Sequence, residues 1–148
     1  MQTYGNDRGA MAAFVIASTL GGTPLIYSSQ EIAYSKALSF FDYQLMDWNS
    51  NSDYLNEYKK LMEIYASSSM LRSAGVKIYD TGKAASFYRV SGDEAILVIV
   101  NTSSVAETIK VPIERVGDRM RNLMDNEVMI LPVALTLEPY QYYIWKKE

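Results

Sequence analysis

The apolar residues of the chain recur with a helical period before about residue 75 and with a strand period after it. Residues 7–20 are apolar almost all the way round a helix, with Asn6 or Asp7 as the N-cap and Gly21-Gly22 as the stop. A helix without a polar face is covered by protein on most sides, so this one requires neighbours, including some outside the chain. Asp53 opens a second predicted helix, residues 54–68, whose apolar residues lie on one face: Leu55, Tyr58, Leu61, Met62 and Tyr65.

The connection between the two helices contains a short apolar run and a long polar loop. Residues 23–27 are too few for a helix, tolerate Pro24 at their start and predict a strand buried on both faces. Gln30 and Glu31 follow this strand directly, where α/β proteins build their binding sites. Residues 32–52 are irregular, and loops of such length are often functional; their aromatic residues are Phe40, Phe41, Tyr43 and Trp48.

A period of two in the sequence predicts strands in the second half of the chain. The seven predicted strands are residues 77–79, 86–90, 95–100, 108–112, 128–131, 135–137 and 141–145. Turn-forming residues such as Gly82, Gly92 and Asn126 separate them. Regular short strands of this kind predict an antiparallel sandwich or barrel. The mixed-charge residues 115–121 are predicted to form a solvent-exposed connection between two strands.

Composition and charge favour a neutral partner. The 148 residues carry a net charge of −3, and their basic side chains are scattered instead of clustered. Such a chain has no electrostatic footprint for nucleic acid or for an anionic membrane surface. Its longest apolar run, residues 10–20, is too short to cross a bilayer and has no cationic leader, so neither a membrane span nor a signal peptide is predicted.

The chain contains no histidine and no cysteine. This excludes Ser-His-Asp and Cys-His nucleophilic sites, and zinc sites built on imidazole or thiolate, within the chain. Acid/base or nucleophilic catalysis by Asp and Glu side chains is not excluded by this composition. Absence of cysteine suits both a cytoplasmic protein and a bacterial exported protein, so the compartment stays open.

The segment Gly22-Thr23-Pro24-Leu25-Ile26-Tyr27-Ser28-Ser29-Gln30-Glu31 resembles a motif of the α-amylase family of glycoside hydrolases. That motif, Gly-x-Pro-x-x-Tyr-x-Gly-Gln-Glu, forms the last strand of a (β/α)₈ barrel and the loop above it. The passage from Phe40-Phe41 to Asp47-Trp48, the helix that follows and the β-rich remainder are similar to the rest of that family's C-terminal end. Ser29 departs from the pattern, which has glycine there, and a side chain restricts access to a positive φ.

The resemblance implies an α+β fragment with two parts. Residues 1–74 would be the remnant of the end of a (β/α)₈ barrel, and residues 75–148 an antiparallel all-β sandwich. The parent protein would be a retaining glycosidase acting on α-1,4-glucans such as starch or maltooligosaccharides. The resemblance implies that its catalytic carboxylates lie upstream of this chain. Within the chain, no spacing argument makes an acid/base pair from Glu31, Asp42 and Asp47. By itself this chain is predicted to be structural and inactive.

The same reasoning assigns candidate contacts with carbohydrate. Tyr27, Gln30, Glu31 and Trp48 are predicted at the rim of the substrate cleft, with structural packing or hydrogen bonding as the alternative for each. Tyr143 and Trp145 are candidate glycan contacts on the sandwich, although strand alternation sends at least one aromatic pair of the last strand into the core.

Partners and competing functions follow from the same resemblance. The predicted partners are the upstream barrel of the same polypeptide, an α-glucan in the full-length enzyme, and a second copy that covers the exposed barrel remnant. No cofactor is predicted for this chain, and the resemblance leaves room for calcium in the parent enzyme. Two other classes stay open: a non-enzymatic carbohydrate-binding or interaction domain, and an inactive relative of the amylases.

Overall fold

The computed structural model describes residues 4–39, 41–79 and 81–148. Its helices are α1 (Asp7–Thr19), α2 (Ser52–Ser67) and α3 (Ser69–Ser73), with short 3₁₀ turns at Gln30–Ile32 and Ile113–Arg115. Its strands are β1 (Gly75–Ile78), β2 (Ala85–Ser91), β3 (Glu94–Val100), β4 (Glu107–Lys110), β5 (Arg119–Asn122), β6 (Val128–Ile130), β7 (Ala134–Leu137) and β8 (Tyr142–Lys147). The predicted α+β class is confirmed. No helix among these residues combines the length and the apolar character that crossing a bilayer requires.

Side-chain caps fix where the helices begin. The Asn6 side chain accepts a hydrogen bond from Gly9 N at 2.8 Å, which makes Asn6 the N-cap of α1. Asn51 caps α2 in the same way, so this helix begins slightly before the predicted Asp53. The unpredicted helix α3 follows because the Ser68 hydroxyl accepts from Leu71 N at 3.3 Å and starts a new turn.

The strands form two antiparallel sheets. The larger sheet has six strands in the order β1-β2-β3-β8-β5-β6, and the smaller pairs β4 with β7. In the centre of the large sheet, Val98 on β3 is paired with Phe87 on β2 and with Ile144 on β8. The central position of β3 explains its uninterrupted apolar sequence, since both of its faces are buried.

The large sheet is covered on both faces. Ile96, Val98 and Val100 pack with residues of α1, α2 and α3, including Phe14 and Leu61. The alternate residues of β3 pack on the other face with residues of the small sheet and with Trp145: Ala95, Leu97 and Ile99. The fold is therefore three-layered, and the helices before residue 75 cover one face of the sheet after it.

A hydrogen-bonded network joins the helical layer to the large sheet. Arg8 donates from both terminal nitrogens to the Glu57 carboxylate, at 2.6 and 3.0 Å, and Tyr142 OH donates to the same group at 2.6 Å. The hydrogen bond to Glu57 raises the pKa of Arg8, and burial raises the pKa of Tyr142. These three residues stand on α1, α2 and β8, so one carboxylate ties both long helices to the sheet.

Two sequence predictions are wrong in the described structure. Residues 23–27 are not paired with any strand, because a parallel strand needs neighbours that this chain does not supply; Leu25 is 83% exposed and Tyr27 65%. The charged residues 119–121 lie in β5, between β8 and β6, and do not form a solvent-exposed connection. Met120 is buried there, while Arg119 and Arg121 both pair with Glu148. Phe40, part of the quoted resemblance, lies outside the described residues.

Candidate functional site

The turn after residues 23–27 is held in an uncommon backbone conformation. Ser29 has a φ of 70° and Ala33 one of 55°, so both are left-handed and flank the 3₁₀ turn. The Ser29 carbonyl accepts from Ile32 N at 3.4 Å and from Tyr34 N at 3.2 Å. Ser29 thus adopts a positive φ although it has a side chain where the quoted motif has glycine, at a cost of about 1–2 kcal/mol for an L-residue.

Gln30 connects this turn to α2. Its Nε2 donates to Tyr58 OH at 2.9 Å, and its Oε1 accepts from Tyr27 N at 3.3 Å. Tyr58 is buried, stacks on Phe14 with ring centroids 4.5 Å apart, and has its pKa raised by burial, so its hydroxyl remains neutral. Gln30 therefore anchors the loop to the helical layer through a side chain that belongs to the core.

Glu31 leaves one carboxylate oxygen unsatisfied. Its Oε2 is buried and has no hydrogen-bond partner within the described part of the chain. A buried acceptor without a donor costs about 1–3 kcal/mol, so this position is incomplete as it stands. The nearby carboxylates are engaged locally: Asp42 Oδ2 is 2.7 Å from Ser39 Oγ, and Asp47 Oδ1 accepts from Asn49 N at 2.9 Å. Both therefore serve loop turns.

A cleft of about 560 Å³ lies between α1 and the segment that follows residue 24. It brings together Tyr27 and Gln30, which the sequence placed at a rim, with Phe14, Tyr34 and the alanine face of α1. Trp48 and Glu31 do not line it, and Trp48 is 45% exposed elsewhere on the loop. The structure thus unites two of the four predicted rim residues, whose roles toward carbohydrate remain predictions.

The aromatic pair of the last strand is part of the core. Tyr143 and Trp145 stack with centroids 4.3 Å apart and planes 9° apart, on the face covered by the small sheet. Trp145 is only 1% exposed, which corrects the expectation that its ring is available to a glycan at the surface. Tyr143 is partly buried, and its OH accepts from Gln141 Nε2 at 2.9 Å.

A second cleft escaped sequence reasoning. It has about 540 Å³ and lies between the start of α1 and the loop after β3, with Tyr4 and Tyr140 among its lining residues. These tyrosines stand near opposite ends of the chain, and no local pattern brings them together. Residues 4–39, 41–79 and 81–148 contain no group of three or more acidic side chains arranged to hold a metal ion.

Comparison with curated proteins finds distant sequence relatives. The chain is 24% identical to a maltogenic α-amylase of Bacillus acidopullulyticus, over 84% of this chain and 23% of that protein. It is also 24% identical to a cyclomaltodextrinase of Geobacillus thermopakistaniensis (strain MAS1), over 97% of this chain and 26% of that protein. No family model matches the chain. The chain therefore spans about a quarter of the length of these relatives.

Solved structures share the fold over nearly the whole chain. An α-amylase from Geobacillus thermoleovorans, complexed with acarbose, matches with a TM-score of 0.80 at 18% identity, over 97% of this chain and 34% of that one. An Anoxybacillus α-amylase matches with a TM-score of 0.78 at 19% identity, over 93% of this chain and 32% of that one. The sequence and fold matches together confirm the predicted resemblance and are consistent with the C-terminal portion of an α-amylase family enzyme.

Proposed function

Since the chain resembles the C-terminal portion of an α-amylase family glycoside hydrolase, we propose that it is part of a retaining glycosidase acting on α-1,4-glucans. The observation that carries this proposal is the pattern of coverage: the chain aligns along most of its length with proteins of which it spans only about a quarter. In this proposal, the longer polypeptide of which this chain is a part carries out the glycoside hydrolysis.

The geometry of the N-terminal half supports a partner on that side. Residues 23–27 are mostly apolar and belong to no helix or strand, and they border the cleft lined by Ala10, Ala13 and Ala17 of α1. A segment that belongs to no sheet has backbone groups to offer to a neighbouring strand, and helices such as α1 cover the faces of parallel sheets. The unsatisfied Glu31 Oε2 calls for a donor in the same region. In this proposal, the upstream barrel supplies both.

The role of the chain itself is then structural. Its three-layered core holds α1 and α2 against the large sheet, and so presents residues 23–27 to the remainder of the barrel. The acid/base pair of retaining hydrolysis needs two carboxyl groups about 5 Å apart. Asp42 and Asp47 are engaged in local turns, and the catalytic groups are therefore assigned to the upstream polypeptide.

Activity measurements on two polypeptides test the proposal. The 148-residue chain and the complete reading frame that contains it are each incubated with maltoheptaose, and reducing ends are counted. The complete protein is expected to cleave with retention of the α-anomer, detected by NMR of fresh product, while the chain alone releases nothing. Release by the chain alone would contradict its structural role. A complete protein that hydrolyses other substrates but no α-1,4-glucan would contradict the assignment of α-1,4-glucans as the substrate.

A further inference from the structure

The cleft between the start of α1 and the loop after β3 has the composition of a carbohydrate site. We propose that this cleft, hereafter the Tyr4–Tyr140 cleft, binds a neutral saccharide. Its volume of about 540 Å³ lies within the range of roughly 300–1,000 Å³ that is typical of small-molecule sites.

The lining residues select for a particular ligand chemistry. Tyr4 and Tyr140 supply aromatic rings, residues 102–104 supply three hydroxyl side chains, and Ile16 with the alanines of α1 supplies an apolar wall. None of the residues that line it is charged. A pyranose has an apolar C–H face that packs on an aromatic ring and a hydroxyl edge that both donates and accepts hydrogen bonds. An ionic ligand would find no counter-charge there.

Several of the polar groups in the cleft are not used by the protein. The Ser103 hydroxyl donates to Val105 O at 2.9 Å and is engaged. Within the described ranges, the hydroxyls of Thr102, Ser104 and Tyr140 form no hydrogen bond with the protein. They are available to a ligand, as a saccharide site requires.

Tyr140 is held in place against its own backbone preference. Its φ is 58°, a conformation that costs a bulky L-residue about 1–3 kcal/mol and that clusters at ligand-binding positions. Two glycines make room for its ring: a Cβ at Gly9 would lie 3.1 Å from Tyr140 Cε1, and one at Gly5 would lie 3.1 Å from its OH. The Tyr140 amide donates to Ser103 O at 3.2 Å. The ring is therefore fixed beside α1.

Asn101 fixes the opposite wall of the cleft. Its buried side chain donates to Val105 O at 2.8 Å and to Glu138 O at 2.9 Å, and its Oδ1 accepts from Ser103 N at 2.9 Å. One amide thus holds the hydroxyl-bearing loop and the turn before Tyr140 in a fixed relation. A wall that is already ordered loses little conformational entropy when a ligand binds.

An α-1,4-glucan is the saccharide we assign, and this choice rests on the proposed function. The assignment of a saccharide as such rests only on the lining of the Tyr4–Tyr140 cleft. The two levels separate experimentally, because a cello-oligosaccharide has the same groups as a malto-oligosaccharide of equal length but a different linkage.

Titration of the 148-residue chain with maltohexaose and cellohexaose, followed by calorimetry and by amide chemical shifts, tests the proposal. Tyr4→Ala removes one ring from a half-exposed position, and Tyr140→Phe removes one hydroxyl while keeping the ring and its packing. Each is expected to weaken maltohexaose binding by about three- to tenfold, the range of one lost hydrogen bond or ring contact. Tyr43→Ala, at an exposed tyrosine outside the cleft, is the matched control and is expected to bind as the parent chain does.

The possible outcomes distinguish two assignments: that the cleft binds a saccharide, and that this saccharide is an α-1,4-glucan. Maltohexaose binding that falls with Tyr4→Ala and Tyr140→Phe but not with Tyr43→Ala supports both. Preferential binding of cellohexaose with the same dependence on variants supports the saccharide cleft and counts against the α-glucan assignment. Failure of the folded chain to bind either sugar, or binding that neither cleft variant weakens, overturns the proposal. Circular dichroism of each variant establishes that it is folded, and hydrolysis by the complete protein remains a separate readout of the proposed function.

Discussion

Arg89 illustrates how one buried side chain organises the junction of helices and sheet. It stands on β2, is buried, and donates from Nη1 to Thr19 O at 3.3 Å and from Nη2 to Ala74 O. These carbonyls lie at the C-terminal ends of α1 and α3, where a cation is favoured by the helix dipole. Burial lowers the pKa of Arg89, but not to a range in which a guanidinium loses its proton. One cation therefore caps two helices at once.

Gly21 makes the space that this cation occupies. Its φ is 120°, and a Cβ there would lie 2.4 Å from Arg89 Nη1. Gly21→Ala is therefore expected to lower the free energy of unfolding by roughly 1–3 kcal/mol, from the strained backbone and the displaced guanidinium. Urea denaturation followed by circular dichroism measures the change. Gly22→Ala is the matched control, since the nearest atom to its Cβ is 3.8 Å away; equal losses for both variants would contradict the role given to Arg89.

The elements that the sequence predicts well are those with local determinants. Helices α1 and α2 have their caps and their stop signals within a few residues, and β3 has a continuous apolar run flanked by turns. Strand β5 was missed because its arginines are neutralised by Glu148, far along the chain. Residues 23–27 are the reverse case, a predicted strand that the structure does not form. Their composition is that of a buried strand, but the pairing of such a strand depends on neighbours outside the chain.

The same distinction applies to the candidate sites. Gln30 and Tyr27 could be placed together because they flank one turn, whereas Glu31, the next residue of that turn, does not line the cleft. The Tyr4–Tyr140 cleft joins the beginning and the end of the chain, and only the three-layered packing creates it. The positive φ of Tyr140 marks this cleft in the structure, but a backbone angle of this kind cannot be read from the sequence.

Packing across residue 74 leads to a prediction about the element boundary. The change from helices to strands there predicted two parts, yet Phe87, Val98 and Ile144 of the sheet are buried against α1 and α2. A fragment of residues 75–148 is therefore expected to lose cooperative unfolding and to bind a hydrophobic dye, because one face of its large sheet is uncovered. Thermal denaturation beside the intact chain measures this. A fragment that is monomeric, with dispersed NMR signals, would instead show that the sandwich folds alone.

At the scale of the whole molecule, exposed apolar side chains are concentrated in the loop region before α2. Leu25, Tyr27, Phe41, Tyr43 and Leu45 are all largely exposed. Single exposed apolar residues are ordinary on a protein surface, but several within one connection are typical of a surface that another polypeptide covers. In the proposed function that cover is the upstream barrel.

In the isolated chain the upstream barrel is missing, and we expect a second copy of the chain to bury this apolar surface instead. We expect its mass, measured by light scattering, to rise with concentration, and the double variant Leu25→Lys/Leu45→Lys to remain monomeric because like charges oppose burial. The double variant Ile113→Lys/Val133→Lys is the matched control: it adds the same two charges at other exposed apolar positions and is expected to associate as the parent chain does. The complete protein, with this surface covered, should not respond to concentration through these residues. A chain that is monomeric at every concentration would mean that residues 25–45 tolerate water, and would contradict the inference that another polypeptide covers this surface.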